Sequence, residues 1–307
     1  MMSVALILLA VVVAPFVWEA SRKPVTEAFR KTAPGSFAKL SQGVTHYQWY
    51  GPQTGPVVVC VHGLTTPSFV WRSIAAALAN EGFRVLTYDL YGRGFSDRPP
   101  GKQDTAFFNR QLSELLSHQD VTGEIALVGY SMGGAIVTAF AAQSENPVAR
   151  VVLLAPAGMR SVGEGKLQRM VHFPLLSRWL MLAIYPFMLS KGLRAEENDP
   201  TSVPGINNLQ RAEMGFKGFF PAVHQSVVGM LTEPFEHFHT TLRDRSLPML
   251  AIWGEVDDVI PLSAKDKLQR WNPSVEHHVI MGAGHGVTYS HTPEVLAPMI
   301  PFLKGQD

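Results

Sequence analysis

EIALVGYSMGGAIVTAF, residues 124–140, decides how this chain folds. A short apolar run, closed by a glycine, ends at Ser131, and an alanine-rich run starts at once with Met132. That is the pattern of a buried strand turning directly into a helix. So tight a turn strains the serine backbone, and the residues two before and two after it must be nearly free of side chain. Gly129 and Gly133 meet that need. The same geometry pushes the Ser131 hydroxyl outward and aims the N–H groups and positive end of the helix at any oxyanion formed beside it.

Other segments repeat the first half of the pattern. PVVVCVHG, FRVLTYDLYG and VARVVLLAPAG are short, rich in β-branched residues and closed by glycine or a turn, as strands buried on both faces of a parallel sheet should be. Helices are expected over 71–80, 107–118 and 132–144. Two further strands, LPMLAIWG and VEHHVIMG, come only after a long interval. That interval, 159–245, is apolar, helical in pattern and broken by prolines, and it reads as an insertion. The expected fold class is α/β, with helices on both faces of a mostly parallel sheet. Residues 44–158 and 246–307 form the core, and 21–43 a connector.

A serine hydroxyl needs a base within hydrogen-bond reach and a carboxylate behind that base to fix the imidazole tautomer. His285, in MGAGHG, follows the last strand at the sheet edge where Ser131 lies, with His291 as a weaker alternative. The loop WGEVDDVIP follows the penultimate strand and carries Glu255, Asp257 and Asp258. Spacing favours Asp257 as the acid, with Asp258 a solvated or capping neighbour. In VHGLTTPS, His62 and Gly63 end a strand, so the N–H groups of Leu64 and Met132 are the expected oxyanion hole. His62 is expected to orient its loop. Asp89 and Ser96, in YDLYGRGFSDRP, are expected to satisfy backbone groups of that glycine-rich turn.

Taken in order, HG, DLYGRGFS, GYSMGG, GEVDD and GAGH resemble the α/β-hydrolase family from about Val44 onward. The resemblance implies an eight-stranded sheet, a helical cap after the sixth strand, and neither cofactor nor metal. Within the family the chain is similar to serine esterases, monoacylglycerol-lipase-like enzymes and carbon–carbon bond hydrolases. Serine at position 131 argues against epoxide hydrolases and haloalkane dehalogenases, which attack through a carboxylate. The expected activity is cleavage of carboxylic esters through an acyl-enzyme on Ser131. Carbon–carbon hydrolase, thioesterase and acyltransferase are the alternatives, and a non-catalytic binding module the remote one. Tyr130, Trp179 and Phe219 are candidate substrate contacts. Phe173, Leu176, Leu180, Met188, Phe216, Phe220 and Met230 are further candidates for an apolar cap lining.

Composition narrows the partners. With 46% hydrophobic residues the 307-residue chain can bury a large core. A formal net charge of +1 and no long basic run argue against nucleic acid. Cys60, the single cysteine, has no disulfide partner and reads as a buried strand residue. The anomaly is the N-terminus, where VALILLAVVVAPFVW, residues 4–18, carries no charge. A bilayer-crossing helix needs ~20 residues. Nothing basic precedes the run, which speaks against a signal peptide, and Arg22 and Lys23 follow it, which puts the body on the cytoplasmic side. Residues 1–20 are therefore expected to be a membrane anchor whose removal leaves a soluble, active domain. A cleaved signal, leaving a secreted or periplasmic enzyme, and a buried first helix are the other readings. The expected partners are a small-molecule or lipid ester and, through this segment, a membrane.

Overall fold

The structure, a computed structural model, describes residues 2–159 and 173–306; the stretch 160–172 of the insertion lies outside the described residues. Eight strands form one sheet: β1 (Ser36–Leu40), β2 (Gly43–Tyr50), β3 (Val57–Val61), β4 (Arg84–Tyr88), β5 (Ile125–Tyr130), β6 (Val148–Leu154), β7 (Met249–Gly254) and β8 (Glu276–Ile280). Their spatial order is β1-β2-β4-β3-β5-β6-β7-β8, parallel from β4 to β8 and antiparallel at the β1–β2 and β2–β4 pairs.

Strand alternation divides the core in two. Val59, Val61, Leu127, Val151 and Leu153 face one cluster, while Val58, Cys60, Val128, Val152 and Leu154 face the other. The first is covered by α4 (Thr105–His118), α5 (Met132–Gln143), α10 (Glu236–Asp244) and α11 (Ser263–Trp271); the second by α3 (Arg72–Asn80) and α13 (Thr292–Lys304). Each such Val or Leu side chain, fully buried, contributes roughly 1.5–3 kcal/mol. This is why the central strands read as unbroken apolar runs rather than alternating ones.

Some boundaries differ from the sequence reading for local reasons. Helix α4 starts two residues early because the Asp104 side chain accepts the Phe107 N–H at 3.1 Å and caps it. Trp71 lies in a 3₁₀ turn, Ser68–Trp71, ahead of α3. The stretch 21–43 is more than a connector. It holds α2 (Glu27–Arg30) and β1, which pairs with β2 along its full length. Only Ala38 of β1 is buried, so the strand carries no periodic apolar signal.

Between β6 and β7 the described part of the insertion is helical: α6 (Pro174–Ala183), α7 (Tyr185–Ala195), α8 (Ile206–Glu213) and α9 (Phe219–Val228), followed by α10. Met181, Leu182, Phe219, Phe220, Val223 and Val227 form its own apolar cluster. The N-terminal helix α1 (Met2–Ser21) is long and apolar enough to cross a membrane, with mean hydropathy 2.2 over Val4–Ser21 and 11% of that window buried. The short α12 (Val287–Ser290) follows the His285 loop.

Candidate active site

Ser131 sits where β5 passes into α5, with φ +53° and ψ −119°, a left-handed conformation that costs a side-chain-bearing residue of order 1–3 kcal/mol. Neighbouring backbone holds it there: the Ser131 N–H donates to Leu154 O at 2.9 Å, and its carbonyl accepts Gly134 and Ala157 N–H, each at 2.9 Å. Close approach explains the flanking glycines. A Cβ at Gly129 would run into the Gly133 carbonyl, and one at Gly133 into the carbonyls of Val61 and His62 at the end of β3.

Adjacent strands deliver the other groups. The loop after β7 carries Asp257, and the loop after β8 carries His285. His285 Nε2 lies 3.0 Å from Ser131 Oγ, and His285 Nδ1 lies 2.8 Å from Asp257 Oδ2. The Asp257 side chain is almost completely buried, and its Oδ1 accepts the Val259 and Ile260 N–H groups, each at 2.8 Å. With both oxygens occupied, the carboxylate is fixed, and so is the tautomer that leaves His285 Nε2 free to accept a proton. Asp258 is exposed and Glu255 accepts the Gly282 N–H, so neither reaches the histidine. His291 Nδ1 pairs with Ser290 Oγ, away from the site.

The loop after β3 runs against the serine, for a Cβ on Gly63 would stand 3.2 Å from Ser131 Cβ. Among the described residues, no acceptor takes the Leu64 or Met132 N–H. His62 is fully buried; its Nε2 accepts the Leu90 N–H at 2.9 Å and its Nδ1 donates to Gly63 O at 2.8 Å. Burial lowers its pKa to about 4, which keeps this bifunctional neutral form. Asp89 accepts Ser68 N–H and Phe95 N–H at 2.9 and 3.0 Å and pairs with His46 Nδ1 at 2.8 Å, while Ser96 Oγ donates to Asp89 O. The pair with His46 and these donors hold the Asp89 carboxyl below the usual range in spite of burial.

One residue of this region was invisible to the sequence reading. Arg93 has no exposed surface, and all its hydrogen-bond acceptors are neutral: Leu64 O at 2.9 Å, Tyr91 O at 2.9 Å, Gln103 Oε1 at 2.5 Å and Ser226 Oγ at 2.8 Å. It ties the loop carrying Leu64 to α9 of the insertion. Its place in DLYGRGFS was the only available signal, and an arginine between two glycines reads as a solvated turn residue.

The candidate substrate contacts fare differently. Tyr130 is buried, and its hydroxyl donates to the His285 carbonyl at 3.2 Å while the two rings lie 5.4 Å apart, so it backs the histidine loop. Trp179 turns away as well, its Nε1 donating to Val11 O of α1 at 3.4 Å. Phe219 is fully buried in the cluster against which Leu64 packs. Phe173, Leu176 and Met188 point outward, whereas Phe220 and Met230 are buried. Their orientation depends on which neighbours α6 and α7 find, which an apolar sequence does not encode. Among the described residues, no cluster of three or more His, Cys, Asp or Glu side chains is placed to hold a metal.

A strained serine at a strand-to-helix turn, hydrogen-bonded to a histidine on the loop after the last parallel strand, is found together with a match of residues 56–292 to the family model for the alpha/beta hydrolase fold. The chain belongs to the alpha/beta hydrolase fold family. It is an enzyme of that family. Among its curated relatives is a pimeloyl-[acyl-carrier protein] methyl ester esterase from Aliivibrio salmonicida, 22% identical over 86% of this chain and 98% of that protein. Solved structures of similar fold include a thermophilic esterase from Thermogutta terrifontis, with TM-score 0.72, 23% identity and coverage of 89% of this chain and 99% of the other. Another is the enol-lactonase from Burkholderia xenovorans, with TM-score 0.73, 18% identity and coverage of 88% and 100%.

Proposed function

We propose that this α/β-hydrolase cleaves carboxylic esters of apolar, lipid-like acids through an acyl-enzyme on Ser131. The observation that carries the reading is the continuous row Ser131 Oγ, His285, Asp257, at 3.0 and 2.8 Å, on an elbow with φ +53°. His285 takes the Ser131 proton as the oxygen attacks the ester carbonyl. The imidazolium that forms is stabilised by the Asp257 carboxylate. Leu64 and Met132 N–H, whose hydrogens find no acceptor among the described residues, hold the oxyanion, each for roughly 2.7–4 kcal/mol. His285 then returns its proton to the departing alcohol. Water, deprotonated by the same nitrogen, releases the acid and restores Ser131.

An apolar acyl group is favoured by the surroundings of the oxyanion loop, where Leu64 packs against the apolar cluster that contains Phe219, Phe220 and Val223. Each methylene buried there contributes ~0.8 kcal/mol. The helix α1 supports a membrane-attached enzyme, its charge-free face exposed and Arg22 and Lys23 just beyond its apolar stretch. Such an anchor keeps the site where apolar esters concentrate.

The test is covalent labelling by a fluorophosphonate probe together with turnover of a substrate panel of p-nitrophenyl, glyceryl, thioester and carbon–carbon-cleavage substrates. Ser131→Ala and His285→Ala are expected to abolish labelling and lower kcat by ~10⁴-fold or more with the fold intact. Asp257→Asn should be far more damaging than Asp258→Asn. Medium-chain esters should exceed acetates in kcat/KM. Near-normal turnover by folded Ser131→Ala, or a thioester or carbon–carbon substrate outpacing every ester, would overturn the proposal.

A further inference from the structure

Helices α6 and α7 carry a broad apolar surface that no described residue covers: Phe173, Leu175, Leu176, Ile184, Phe187 and Met188 are 63, 81, 55, 44, 63 and 63% exposed. Isolated exposed hydrophobes are ordinary, but six along two successive helices mark an interaction surface. What covers it is set by its neighbour. Helix α1 lies directly alongside, with the Trp18 and Phe187 ring centroids 6.1 Å apart and the Arg178 guanidinium 5.8 Å from the Phe16 ring.

The contact at Val11 is the informative one. Pro15, inside α1, has no N–H, so the carbonyl four residues earlier, that of Val11, loses its helical donor. Trp179 Nε1 of α6 supplies a replacement at 3.4 Å. In hydrocarbon an unpaired carbonyl costs several kcal/mol, whereas in water the solvent would satisfy it. Depth follows from helix geometry. At ~1.5 Å per residue the part of α1 ahead of Val11, from Met2 to Ala10, extends only about 14 Å, under half of the ~30 Å hydrocarbon core. The other end of α1 is fixed to the insertion, since Glu19 Oε1 accepts the Gly218 N–H at 2.6 Å and Arg22 donates to Met214 O. Helix α1 therefore cannot enter a bilayer deeply without bringing α6 with it. Basic residues sit where lipid headgroups would meet this surface: Arg178 and Lys217 line a cleft of about 260 Å³ with Phe16, Glu19 and Leu182, and Lys191 and Arg194 are exposed further along α7.

We propose that α6 and α7 lie in the same bilayer leaflet as α1 and form with it one lipid-seated face, through which apolar esters reach Ser131 without crossing water. The proposal rests on the reading of α1 as a membrane segment. Beneath the face, Met181, Leu182, Phe219 and Phe220 belong to one apolar cluster against which Leu64 of the oxyanion loop also packs, so apolar side chains link the face to that loop.

An environment-sensitive fluorophore on single introduced cysteines in the full chain tests this, because the native Cys60 is buried and its thiol is held protonated. Leu8→Cys reports on α1, Leu175→Cys and Phe187→Cys on the insertion, and Glu124→Cys on the opposite end of the sheet. Each labelled protein, confirmed as folded by hydrolysis of p-nitrophenyl butyrate, is bound to phosphatidylcholine and phosphatidylglycerol vesicles with and without brominated acyl chains. The expected result is a blue shift and several-fold stronger bromine quenching at 8, 175 and 187 than at 124. Quenching at 8 with water-like emission at 175 and 187 would overturn the proposal and leave the membrane reading of α1 standing. Water-like emission at all four positions, with no flotation on vesicles, would overturn both.

Discussion

At the scale of single residues, the site depends on groups that hold others rather than react. Arg93 is the clearest. A buried guanidinium with only neutral acceptors is costly, and burial pulls its pKa down to about 9. Its Nε bond holds the Leu64 carbonyl, and so restrains the backbone of the residue whose N–H is the candidate oxyanion donor, while its other three bonds anchor the guanidinium. Removing an oxyanion donor outright costs ~10²–10³ in kcat, so displacing one should cost part of that. Arg93→Met is expected to lower kcat on a p-nitrophenyl ester about tenfold or more with little change in KM, and Arg93→Lys to recover some of the loss. Unfolding by urea, followed alongside, should show a further cost of about 1–3 kcal/mol from the abandoned Gln103 and Ser226. An unchanged kcat in a destabilised protein would make Arg93 a strut without influence on the site. Tyr130 acts similarly, backing the His285 loop through its hydroxyl.

At the scale of elements, α1 has two halves with different work. Its first half touches little of the protein, whereas Phe16 packs on the apolar cluster of the insertion, Glu19 binds the Gly218 N–H and the Arg22 guanidinium lies 4.8 Å from the Phe220 ring. Removal of residues 1–20 is therefore not the neutral change that composition suggests, because the end of the apolar run is also a structural clasp. Deleting 2–14 should leave nearly full activity on soluble esters. Deleting 2–22 should expose Phe219 and Phe220 and lower unfolding free energy by about 2–4 kcal/mol. Equal urea midpoints for the two truncations would contradict the clasp.

At the scale of the whole molecule, buried titratable groups set the pH range of stability. Burial lowers His62 to about 4 and His239 to about 3, against about 6.5 in an unfolded chain, and half-buried His277 shifts in the same direction. Glu213 goes the other way: burial raises it to about 7, in spite of the nearby Arg98 and the Gly94 N–H it accepts. Near pH 5 the unfolded chain therefore holds about three more protons, on His62, His239 and His277, and the native protein about one more on Glu213. The net excess of about two protons favours unfolding by about 2–3 kcal/mol for each pH unit of acidification between roughly 6 and 5. Urea unfolding across that range should show this slope, and His239→Leu should reduce it by about one proton's worth. A variant slope equal to the parent's would mean that His239 is protonated alike in both states.

Local chemistry made much of this protein readable. Glycine spacing around Ser131, unbroken apolar runs such as PVVVC, and loops at the same ends of parallel strands all act within a few residues, and they place Ser131, His285 and Asp257 at one edge of the sheet. Asp257 stood apart from Asp258 by spacing alone, and it is Asp257 whose carboxylate meets His285. β1 escaped notice because a sheet-edge strand with one buried residue has no period to detect. Tyr130, Trp179 and the exposed Phe173, Leu176 and Met188 needed the tertiary structure, as did Arg93. Apolar character says that a side chain will leave water, but not which surface receives it. In α6 and α7 that choice falls between the protein interior and the space beside α1, and it is made by packing between helices distant in sequence.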